Sequence, residues 1–305
     1  MLKLLFLLYT TGALAQQQLP VFNVMDHEIA GLVNRMRSED ANQAKPSQYR
    51  LDFQGHTAGA DFDDRAKRPL IEYIDSSVLR RPTYEHLLAL FDNFERTTGV
   101  SEQDTPEEIE EIKRFIDLVV ETRPWKVLID FLKSKNHPFV SNPSTLKRIL
   151  RQLWFDHYSR ARGLPDTSAF EHIFIGETKN GEISGLHNWL RLYELERNVS
   201  SRFDYRGFLV KRGQIMGAIK FQWDGQVKRA GSMFFGTSPE FELGLYTVCF
   251  LARRSRNTCD FEIDGCPIQI TSYDLKQNGK VYIGSAYPTA GRMTEACRSK
   301  TRGGN

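Results

Sequence analysis

The sequence has little net charge, few cysteines and no long apolar run after its first residues. Its 41 basic and 38 acidic side chains leave a formal net charge of only +3 over 305 residues. Such a balance gives no field over the whole molecule that would attract polyanions, so any binding of nucleic acid would depend on local basic groups. Without an apolar stretch of about 20 residues, no transmembrane helix is predicted. With 40% hydrophobic and 26% charged residues, the composition is that of a soluble globular protein.

The first fifteen residues are typical of a secretory signal peptide. Lys3 provides a short positive region, residues 4–9 an apolar stretch, and Ala13-Leu14-Ala15 a cleavage site of small residues. A buried N-terminal helix or a membrane anchor is the alternative interpretation, but the apolar stretch is too short to span a bilayer. The sequence therefore predicts a signal peptide over residues 1–15, a mature chain that starts near Gln16, and secretion, with partial retention in the secretory pathway left open.

Two further features fit export. Asn198-Val199-Ser200 is an acceptor triplet for N-glycosylation at Asn198. The four cysteines lie in the last fifth of the chain, and an even number in an exported protein predicts two disulfides. Of the three connectivities we favour Cys249 with Cys259, closing a short loop between neighbouring strands, and Cys266 with Cys297. Reduced thiols in the core are the alternative, and a four-cysteine zinc site is disfavoured because no Cys-x-x-Cys pair occurs.

Hydrophobic periodicity divides the chain into a helical part and a strand-rich part. Between about residues 21 and 159 the spacing is helical, and Thr105-Pro106-Glu107-Glu108 predicts a helix start with an N-cap, a first-turn proline and a capping box. Helices are also predicted to begin at Asn142-Pro143 and at Thr83, whereas residues 40–70 indicate a long polar loop. Later we predict a helix over 186–197 and strands over 172–175, 208–211, 215–221, 243–252, 268–273 and 280–287.

Helices first and strands later predict an α+β fold. We expect one domain over residues 20–298, composed of a helical N-terminal lobe (20–162) and an antiparallel-sheet-rich catalytic lobe (163–298), followed by a tail (299–305). Asn278-Gly279 between two predicted strands is a strong hairpin signal. No internal repeat, low-complexity run or proline-rich linker separates the lobes, so one compact unit is the simplest interpretation.

Two of the seven histidines lie in the strand-rich part in distinctive surroundings. His172 occurs in the segment FEHIFIGE and His187 in GLHNW, at the start of a predicted helix. Asn180-Gly181 between them is a turn signal, which predicts that the chain doubles back and brings the two imidazoles together. Lys228 follows in the segment FQWDGQVKRAGS.

Two histidines and a lysine suit the cleavage of RNA. The 2′-hydroxyl of RNA is an internal nucleophile, so one imidazole can accept its proton while the other protonates the departing 5′-oxygen. An unperturbed pKa near 6.5 lets both protonation states coexist near neutral pH. A lysine ammonium can stabilise the extra charge on the phosphorane. The product would carry a 2′,3′-cyclic phosphate, and DNA could not react.

Less specific interpretations remain open at this point. A histidine near a strand end is more often structural than catalytic, and Lys228 is equally compatible with a solvated surface charge. A metal site built from two histidines and two glutamates would indicate a metal-dependent hydrolase; its candidates are His172, His187, Glu171 and Glu177. Against it, Glu171 and His172 are adjacent and would point to opposite faces of a strand.

At these motifs the sequence resembles the EndoU family, the poly(U)-specific endoribonucleases, and more distantly the coronavirus uridylate-specific endoribonuclease. The similar segments are FEHIFIGE, GEISGLHNWLRLYELE, FQWDGQVKRAGSMFFGTSPEFELGLYTVCF and KVYIGSAY, in the order of the family and over about the last 140 residues. The helical lobe is similar only in its run of helices and in the segment PLIEYID.

The resemblance implies a role for each matching residue. His172, His187 and Lys228 fall on the catalytic triad, with His187 as the base and His172 as the acid. Glu171 and Glu177 match two glutamates associated with activity, which we expect to orient and tune the imidazoles, with metal ligation as the alternative. The implied substrate contacts are Ser232 on the uracil edge, Tyr287 packed against the uridine, and Ser285 on phosphate, where cellular members carry a threonine.

The resemblance also implies stimulation by a divalent cation, manganese more than calcium, with unassigned ligands. Asp61, Asp63 and Asp64 are a candidate cluster, although a solvated acidic loop is the preferred interpretation. The expected partner is single-stranded RNA that contains uridine, with no cleavage of DNA and no membrane span, and the expected state is a monomer. The competing hypothesis is a catalytically silent RNA-binding or extracellular interaction protein on the same fold, which would not need to retain all three triad residues.

Overall fold

The computed structural model describes residues 19–20, 22–58 and 63–302. The predicted signal peptide and Asp61 lie outside these residues. The N-terminal part is mostly helical: α1 (Asp26–Ser38), α2 (Ser76–Leu79), α3 (Pro82–Ala89), α4 (Pro106–Val120), α5 (Arg123–Ser134) and α6 (Pro143–Trp154). The predicted loop over residues 40–70 is not wholly irregular, because its β1 (Tyr49–Leu51) pairs with β2 (Ile71–Ile74).

The helix starts follow the capping signals of the sequence. At α4 the Thr105 hydroxyl accepts the Glu108 backbone N–H at 3.2 Å, and the Glu108 carboxylate accepts the Thr105 N–H at 2.6 Å. At α6 the Asn142 side chain accepts the Thr145 N–H at 2.8 Å. Each cap satisfies backbone donors that the helix itself leaves unpaired. Both predicted starts are therefore confirmed.

Among the described residues the C-terminal part combines strands with three α-helices and one π-helix, besides a 3₁₀ turn at Val199–Ser201. Its elements are a π-helix (Glu171–Ile175), β3 (Glu177–Lys179), β4 (Glu182–Ser184), α7 (Trp189–Arg197), β5 (Phe203–Arg212), β6 (Met216–Trp223), β7 (Gln226–Phe234), α8 (Pro239–Arg253), β8 (Cys259–Ile263), β9 (Cys266–Gln277), β10 (Lys280–Ala290) and α9 (Glu295–Arg302). The predicted strand over residues 172–175 is wrong, because that segment forms the π-helix. Strands β3, β4, β7 and β8 were not predicted.

All strand pairs of the described residues are antiparallel, in the orders β3-β4, β5-β6-β7 and β10-β9-β8, besides β1-β2. Asn278 and Gly279 have φ values of 49° and 72° at the turn between β9 and β10, as a two-residue hairpin with a right-handed twist requires. The hairpin prediction is confirmed. With helices and antiparallel sheets in one structure, the α+β class is confirmed as well.

Helix α8 occupies the segment for which a strand was predicted over residues 243–252. Thirteen of its fifteen residues are buried, so its apolar residues surround the helix instead of forming one stripe. A segment that is apolar on all sides carries no period that separates a helix from a buried strand. The prediction is therefore wrong.

Three buried tryptophans converge on α8 and the residues that precede it. Each indole N–H donates a hydrogen bond: Trp154 to the Thr247 hydroxyl at 2.9 Å, Trp125 to the Glu240 carbonyl at 2.9 Å, and Trp189 to the Thr237 carbonyl at 3.1 Å. Because Trp125 and Trp154 come from α5 and α6, these contacts join the helical part to the strand-rich part through one core. Buried aromatic side chains with satisfied polar atoms stabilise such a junction.

The two disulfides follow the favoured connectivity but not the favoured geometry. Cys249 pairs with Cys259 and Cys266 with Cys297. The first bond was expected to join neighbouring strands, whereas Cys249 lies in α8, so it joins a helix to β8. The second joins β9 to α9. In the described part of the chain no helix combines the length and apolar character needed to cross a bilayer.

Candidate active site

The backbone holds the two histidine segments against each other. His172 lies in the π-helix, and His187 follows β4, two residues before α7. The Leu186 N–H donates to the His172 carbonyl at 3.0 Å, and the His187 N–H donates to the Ile173 carbonyl at 2.7 Å. The imidazole centroids lie 6.4 Å apart with an interplanar angle of 62°. The predicted approach of the two histidines is therefore observed.

Gly185 and Leu186 allow this approach only in an unusual conformation. A Cβ atom on Gly185 would lie 1.7 Å from the His172 carbonyl oxygen, and Gly185 has a φ of +70°. Leu186 is buried and also has a positive φ, 61°, a region that a residue with a side chain adopts at a cost of about 1–3 kcal/mol. The π-helix is likewise a rare element that recurs at functional sites. Local strain is thus concentrated where the histidines meet.

The His172 imidazole is held between Glu177 and Ser285. Its Nδ1–H donates to Glu177 Oε1 at 2.8 Å, which leaves Nε2 directed at the Ser285 hydroxyl, 3.2 Å away. Burial, followed by the positive charge of Arg160, lowers the pKa of His172 from 6.5 to about 4, while Glu177 opposes this shift. The imidazole is therefore neutral in the free protein near pH 7, with its Nε2 facing the cleft.

The His187 imidazole is fixed by a carbonyl and by an aromatic ring. Its Nδ1–H donates to the Ser232 carbonyl at 2.7 Å, and its ring stacks on Tyr287 at a centroid distance of 5.0 Å. Burial, followed by the charge of Lys228, holds the pKa of His187 well below 6.5. With Nδ1 protonated, Nε2 carries the free lone pair that a general base needs.

Lys228 lies on β7 and lines the same cleft as both histidines. Burial lowers its pKa to about 8, against the opposing charges of Glu177 and Glu182, so the ammonium form dominates at neutral pH. Across the described residues 19–20, 22–58 and 63–302, the Lys228 side chain is in no hydrogen bond or ion pair, which leaves all three ammonium protons for a ligand. A partly buried ammonium group without a fixed partner is suited to binding an anion.

The cleft has a volume of about 460 Å³, within the range of about 300–1,000 Å³ that is usual for small-ligand sites. The three triad residues, Ser232, Ser285 and Tyr287 all line it. Ser232 lies opposite Ala218 in the β6–β7 register, and Ala218 lies opposite Val210 in the β5–β6 register. Cross-strand partners share one face of a sheet, so one wall is a row of small side chains that ends in the Ser232 hydroxyl.

Glu177 fulfils the expected orienting role and Glu171 does not. Burial alone would raise the pKa of Glu177, but the hydrogen bond and charge of His172 hold it below 4.5. The Glu171 carboxyl is engaged elsewhere: its Oε2 accepts the Ser168 N–H at 3.3 Å, and it lies beside Glu102. Burial and the charge of Glu102 raise the pKa of Glu171 well above 4.5. Its contacts thus connect the π-helix to the N-terminal part.

Arg160 is a site residue that sequence reasoning missed. Its Nε lies 3.2 Å from Glu177 Oε1, and its guanidinium also donates to the Gly284 carbonyl, next to Ser285. It therefore joins the carboxylate behind His172 to the strand that carries Ser285. Arg160 follows α6 and precedes the first histidine segment, and it belongs to no periodic pattern or motif. Only the folded arrangement identifies it.

The described residues contain no cluster of three or more His, Cys, Asp or Glu side chains arranged to hold a metal ion. Asp63 instead pairs with Arg65 at 2.8 Å, and Asp64 accepts the Ala66 N–H at 2.9 Å. His172 Nδ1 and His187 Nδ1 are both occupied by hydrogen bonds, and their Nε2 atoms face the cleft. These residues do not fit a metal site, so no step of the chemistry is derived through a metal.

Two imidazole Nε2 atoms and one ammonium group thus face a cleft of nucleotide size. Two neutral imidazoles can exchange protons with a bound group, and the ammonium can stabilise negative charge between them. Sheets β5-β6-β7 and β10-β9-β8 supply a hydroxyl each, from Ser232 and Ser285. The arrangement is suited to acid–base chemistry on an anionic ester.

The chain is similar in sequence and in fold to known endoribonucleases. Residues 28–288 match the family Endoribonuclease XendoU. The poly(U)-specific endoribonuclease of Xenopus tropicalis is 37% identical over 285 residues, which cover 87% of this chain and 94% of the relative. The uridylate-specific endoribonuclease B of Danio rerio is 34% identical over 278 residues, covering 86% and 96% of the two chains.

Among solved structures, that of XendoU, described as a splicing-independent snoRNA processing endoribonuclease, aligns with a TM-score of 0.72 and 35% identity. The alignment covers 88% of this chain and 99% of XendoU. The family match spans most of the chain and includes every residue of the cleft discussed above. The chain belongs to the XendoU family of endoribonucleases.

Proposed function

We propose that the chain is an endoribonuclease that cuts single-stranded RNA beside uridine and leaves a 2′,3′-cyclic phosphate and a free 5′-hydroxyl. The observation that carries the proposal is the convergence of His172 Nε2, His187 Nε2 and the Lys228 ammonium on one cleft. The names of the relatives, which refer to poly(U) and uridylate, support the choice of base.

In the proposed mechanism His187 is the base. Its low pKa keeps Nε2 unprotonated, so it can accept the proton of the 2′-hydroxyl while the 2′-oxygen attacks phosphorus. Lys228 stabilises the charge that develops on the non-bridging oxygens. The bond from phosphorus to the 5′-oxygen breaks, and the cyclic phosphate forms without an attacking water.

His172 is the acid that protonates the departing 5′-oxygen. It must be cationic for this step, and Glu177 opposes the pKa-lowering effect of burial on His172, whereas among the residues that the structure describes no carboxylate affects the pKa of His187. The charge of the bound phosphodiester would raise the pKa of His172 further. This difference between the two imidazoles supports the expected assignment of His187 as base and His172 as acid.

Ser232 and Tyr287 form the uridine site in this proposal. The Ser232 hydroxyl ends the row of small side chains on one wall and would hydrogen-bond the uracil edge. Tyr287 forms the opposite wall and is already stacked on His187, so a base beside it lies next to the catalytic base. Ser285, within hydrogen-bond distance of His172, would hold the scissile phosphate.

We also propose that a divalent cation, manganese more than calcium, stimulates the enzyme without entering the bond-breaking step. We infer stimulation by a cation from the family relationship. We place the cation outside the bond-breaking step because the two histidines and the lysine already supply the acid, the base and the positive charge. It would act by organising RNA or an acidic loop. Chelation should then lower the rate of cleavage of uridine-containing RNA without changing the products.

We further propose that residues 1–15 are removed as a signal peptide and that the monomeric mature chain is secreted and glycosylated. Asn198 is exposed at the start of a short 3₁₀ helix, Val199–Ser201, where a glycan would meet solvent. The two disulfides fit an oxidising compartment. Treatment of secreted protein with a glycosidase, with Asn198→Gln as the control, would test the modification.

The reaction is tested with an oligodeoxynucleotide that contains one ribouridine. The expected result is a single cut 3′ of the uridine and a cyclic phosphate end. His187→Ala should remove the activity, and His86→Ala, on α3 and remote from the cleft, should retain it. Binding of the oligonucleotide without cleavage would favour the silent RNA-binding alternative, and cleavage of an all-deoxy substrate would favour a metal-dependent hydrolase. Either result would reject the proposal.

A further inference from the structure

A short segment of the N-terminal part, residues 96–98, contacts the C-terminal part in two places. It belongs to the connection between α3 and α4 and does not line the cleft. Its backbone pairs with Thr178 of β3: the Thr178 N–H donates to the Arg96 carbonyl at 2.7 Å, and the Thr98 N–H donates to the Thr178 carbonyl at 3.0 Å. This is a parallel bridge. The segment is therefore fixed to the edge of the β3-β4 sheet.

The Arg96 side chain extends from this segment to the turn between β6 and β7. Its guanidinium donates to the Asp224 carboxylate at 2.9 Å, and its Cζ lies 4.6 Å from the centroid of the buried Trp223 ring. Asp224 and Gly225 are the two turn residues, with φ values of 51° and 81°, and Lys228 lies on β7 soon after them. A guanidinium that pairs with a carboxylate and also lies over an aromatic ring is fixed in both position and orientation.

Arg96 thereby connects two sheets that carry different groups of the site. The β3-β4 sheet carries Glu177, which orients His172, and the β5-β6-β7 sheet carries Lys228. No strand pairing joins these two sheets within the described residues. The separation between the Lys228 ammonium and the histidines therefore depends on contacts between loops and side chains, and those of Arg96 hold the turn from which β7 starts.

We propose that Arg96 is a positioning residue that holds the β6–β7 turn, and with it Lys228, in place beside the two histidines. The inference rests on the proposed function for the role of Lys228. It extends that function by making a residue of the N-terminal part necessary for the full rate. Lys228 stabilises the extra charge that develops while the 2′-oxygen attacks phosphorus. A displaced ammonium should therefore lower kcat more than it raises KM, because the lost contact is one made in the transition state.

The first test measures kcat and KM on the single-ribouridine oligonucleotide for variants that break the contact from either side. Arg96→Ala should lower kcat by roughly 10- to 100-fold, because a misplacement of about 1 Å can cost 100-fold in rate. Arg96→Lys keeps the charge near Asp224 and should lose less. Asp224→Asn breaks the same ion pair and should also lower kcat. This variant should fold, because Asn-Gly is a preferred sequence for a two-residue turn with positive φ at both positions.

Arg202→Ala is the matched control. Arg202 pairs with the other carboxylate oxygen of Asp224, but it lies immediately before β5, in the same part of the chain as the turn, and its side chain is 74% exposed. Its removal takes a charge partner from Asp224 and leaves the link to the N-terminal part intact, so kcat should stay near the wild-type value. Equal losses of kcat in Arg202→Ala and Arg96→Ala would overturn the proposal.

A double-mutant cycle separates the positioning of Lys228 from a general weakening of the fold. If Arg96 acts through Lys228, then Arg96→Ala should have little further effect on kcat in a chain that already carries Lys228→Ala. The residual rates are measured at high enzyme concentration, and urea denaturation of each variant shows that folded proteins are compared. A loss of kcat that is equally large with and without Lys228 would reject the proposal.

A readout that needs no catalysis distinguishes failure of this proposal from failure of the proposed function. After burial, the charge of Lys228 is the next cause that holds the pKa of His187 low. Movement of the ammonium away from the imidazole should therefore raise the His187 pKa, measured by NMR titration, in Arg96→Ala and not in Arg202→Ala. If wild-type protein does not cleave RNA, the catalytic assignment is wrong, and this shift alone then decides whether Arg96 positions Lys228. An unchanged His187 pKa in Arg96→Ala would reject the positioning role in either case.

Discussion

Glu177→Gln removes one negative charge from the centre of the site and keeps the size of the side chain. The carboxylate accepts hydrogen bonds from His172 Nδ1 at 2.8 Å and from the Thr167 hydroxyl at 2.7 Å, and it pairs with Arg160 at 3.2 Å. The amide can still accept one of these hydrogen bonds. It cannot stabilise a cationic imidazole or neutralise the guanidinium.

Two magnitudes follow from these contacts. A hydrogen bond to a charged group contributes about 1.5–3 kcal/mol, so loss of the one that favours cationic His172 should lower kcat/KM by roughly 10- to 150-fold. Removing one member of a buried ion pair costs about 3–5 kcal/mol of folding stability. Because Arg160 keeps its hydrogen bonds to the Tyr158 hydroxyl and the Gly284 carbonyl, we expect the lower end, about 3 kcal/mol.

The sign of the pH effect follows from the same contacts. Glu177 raises the pKa of His172, so the variant should have a still lower His172 pKa and an activity optimum at lower pH. The pKa of Glu177 is held below 4.5 in the folded protein, so its contribution to stability is complete above pH 4.5 and is lost as the pH falls through the folded pKa. The stability difference between wild type and variant should shrink in that acidic range.

The assay is cleavage of the single-ribouridine oligonucleotide across pH, with urea denaturation of the same samples. Glu196→Gln is the matched control, because Glu196 is a partly buried carboxyl on α7 that accepts the Leu70 N–H and the Ile71 N–H and contacts neither histidine. It should change stability without moving the pH optimum of activity. The reasoning is refuted if Glu177→Gln keeps the wild-type pH profile, or if both variants shift it equally.

Three further predictions concern pH, backbone and disulfides. Because the His172 pKa is about 4 in the free protein, kcat/KM should peak below pH 6.5. At saturating RNA, kcat should peak at a higher pH, because the bound phosphate raises the imidazole pKa values. Identical pH optima for kcat/KM and kcat would contradict this prediction. Gly185→Ala should cost more than about 4 kcal/mol and remove activity, whereas Gly181→Ala, also at positive φ but with no atom within 4 Å, should cost only about 1 kcal/mol in thermal denaturation. Replacing Cys266 and Cys297 by alanine should lower the free energy of unfolding by about 3.7 kcal/mol, because that disulfide closes a loop of 31 residues. Replacing Cys249 and Cys259 should lower it by about 2.7 kcal/mol, because that loop has 10 residues. Equal losses in urea denaturation would show that loop closure does not set the difference.

The parts of the fold that follow local rules could be predicted from the sequence. The capping box at Thr105 and Glu108 and the Asn278-Gly279 turn each involve a few neighbouring residues, so their chemistry is visible in the chain itself. The meeting of His172 with His187 was predicted from the turn at Asn180-Gly181. That turn is observed between β3 and β4, and it places the two histidine segments side by side.

The parts that depend on tertiary packing could not be predicted. Helix α8 is surrounded by other elements, so its burial on all sides removes the period that would have identified a helix. The π-helix at His172 exists because its carbonyl groups pair with the segment around Leu186, which comes eleven or more residues later in the chain. A local pattern of apolar residues there equally fits a strand.

The same limit applies to the supporting residues of the site. The family resemblance implied one shared role for Glu171 and Glu177, but only Glu177 is hydrogen-bonded to the His172 imidazole. Arg160 was missed because its partners Glu177 and Gly284 are adjacent to it only in three dimensions. Residues that react must be of particular types and so leave a motif, whereas residues that support them can come from any segment that passes nearby.

The cleft lies at the boundary between two sheets, β5-β6-β7 and β10-β9-β8, which are not paired with each other in the described residues. Within the described residues, β7 with Lys228 and Ser232 belongs to one sheet and β10 with Ser285 and Tyr287 to another. Side-chain packing and side-chain hydrogen bonds, such as that from Arg212 to the Gly291 carbonyl, set their separation. A displacement of about 1 Å at an active site can cost roughly 100-fold in rate. A small displacement of one sheet relative to the other would leave every helix and strand intact. The rate of RNA cleavage should therefore respond to such a displacement before the circular dichroism signal does. On mild heating we expect the protein to lose activity at a lower temperature than that at which its secondary structure unfolds.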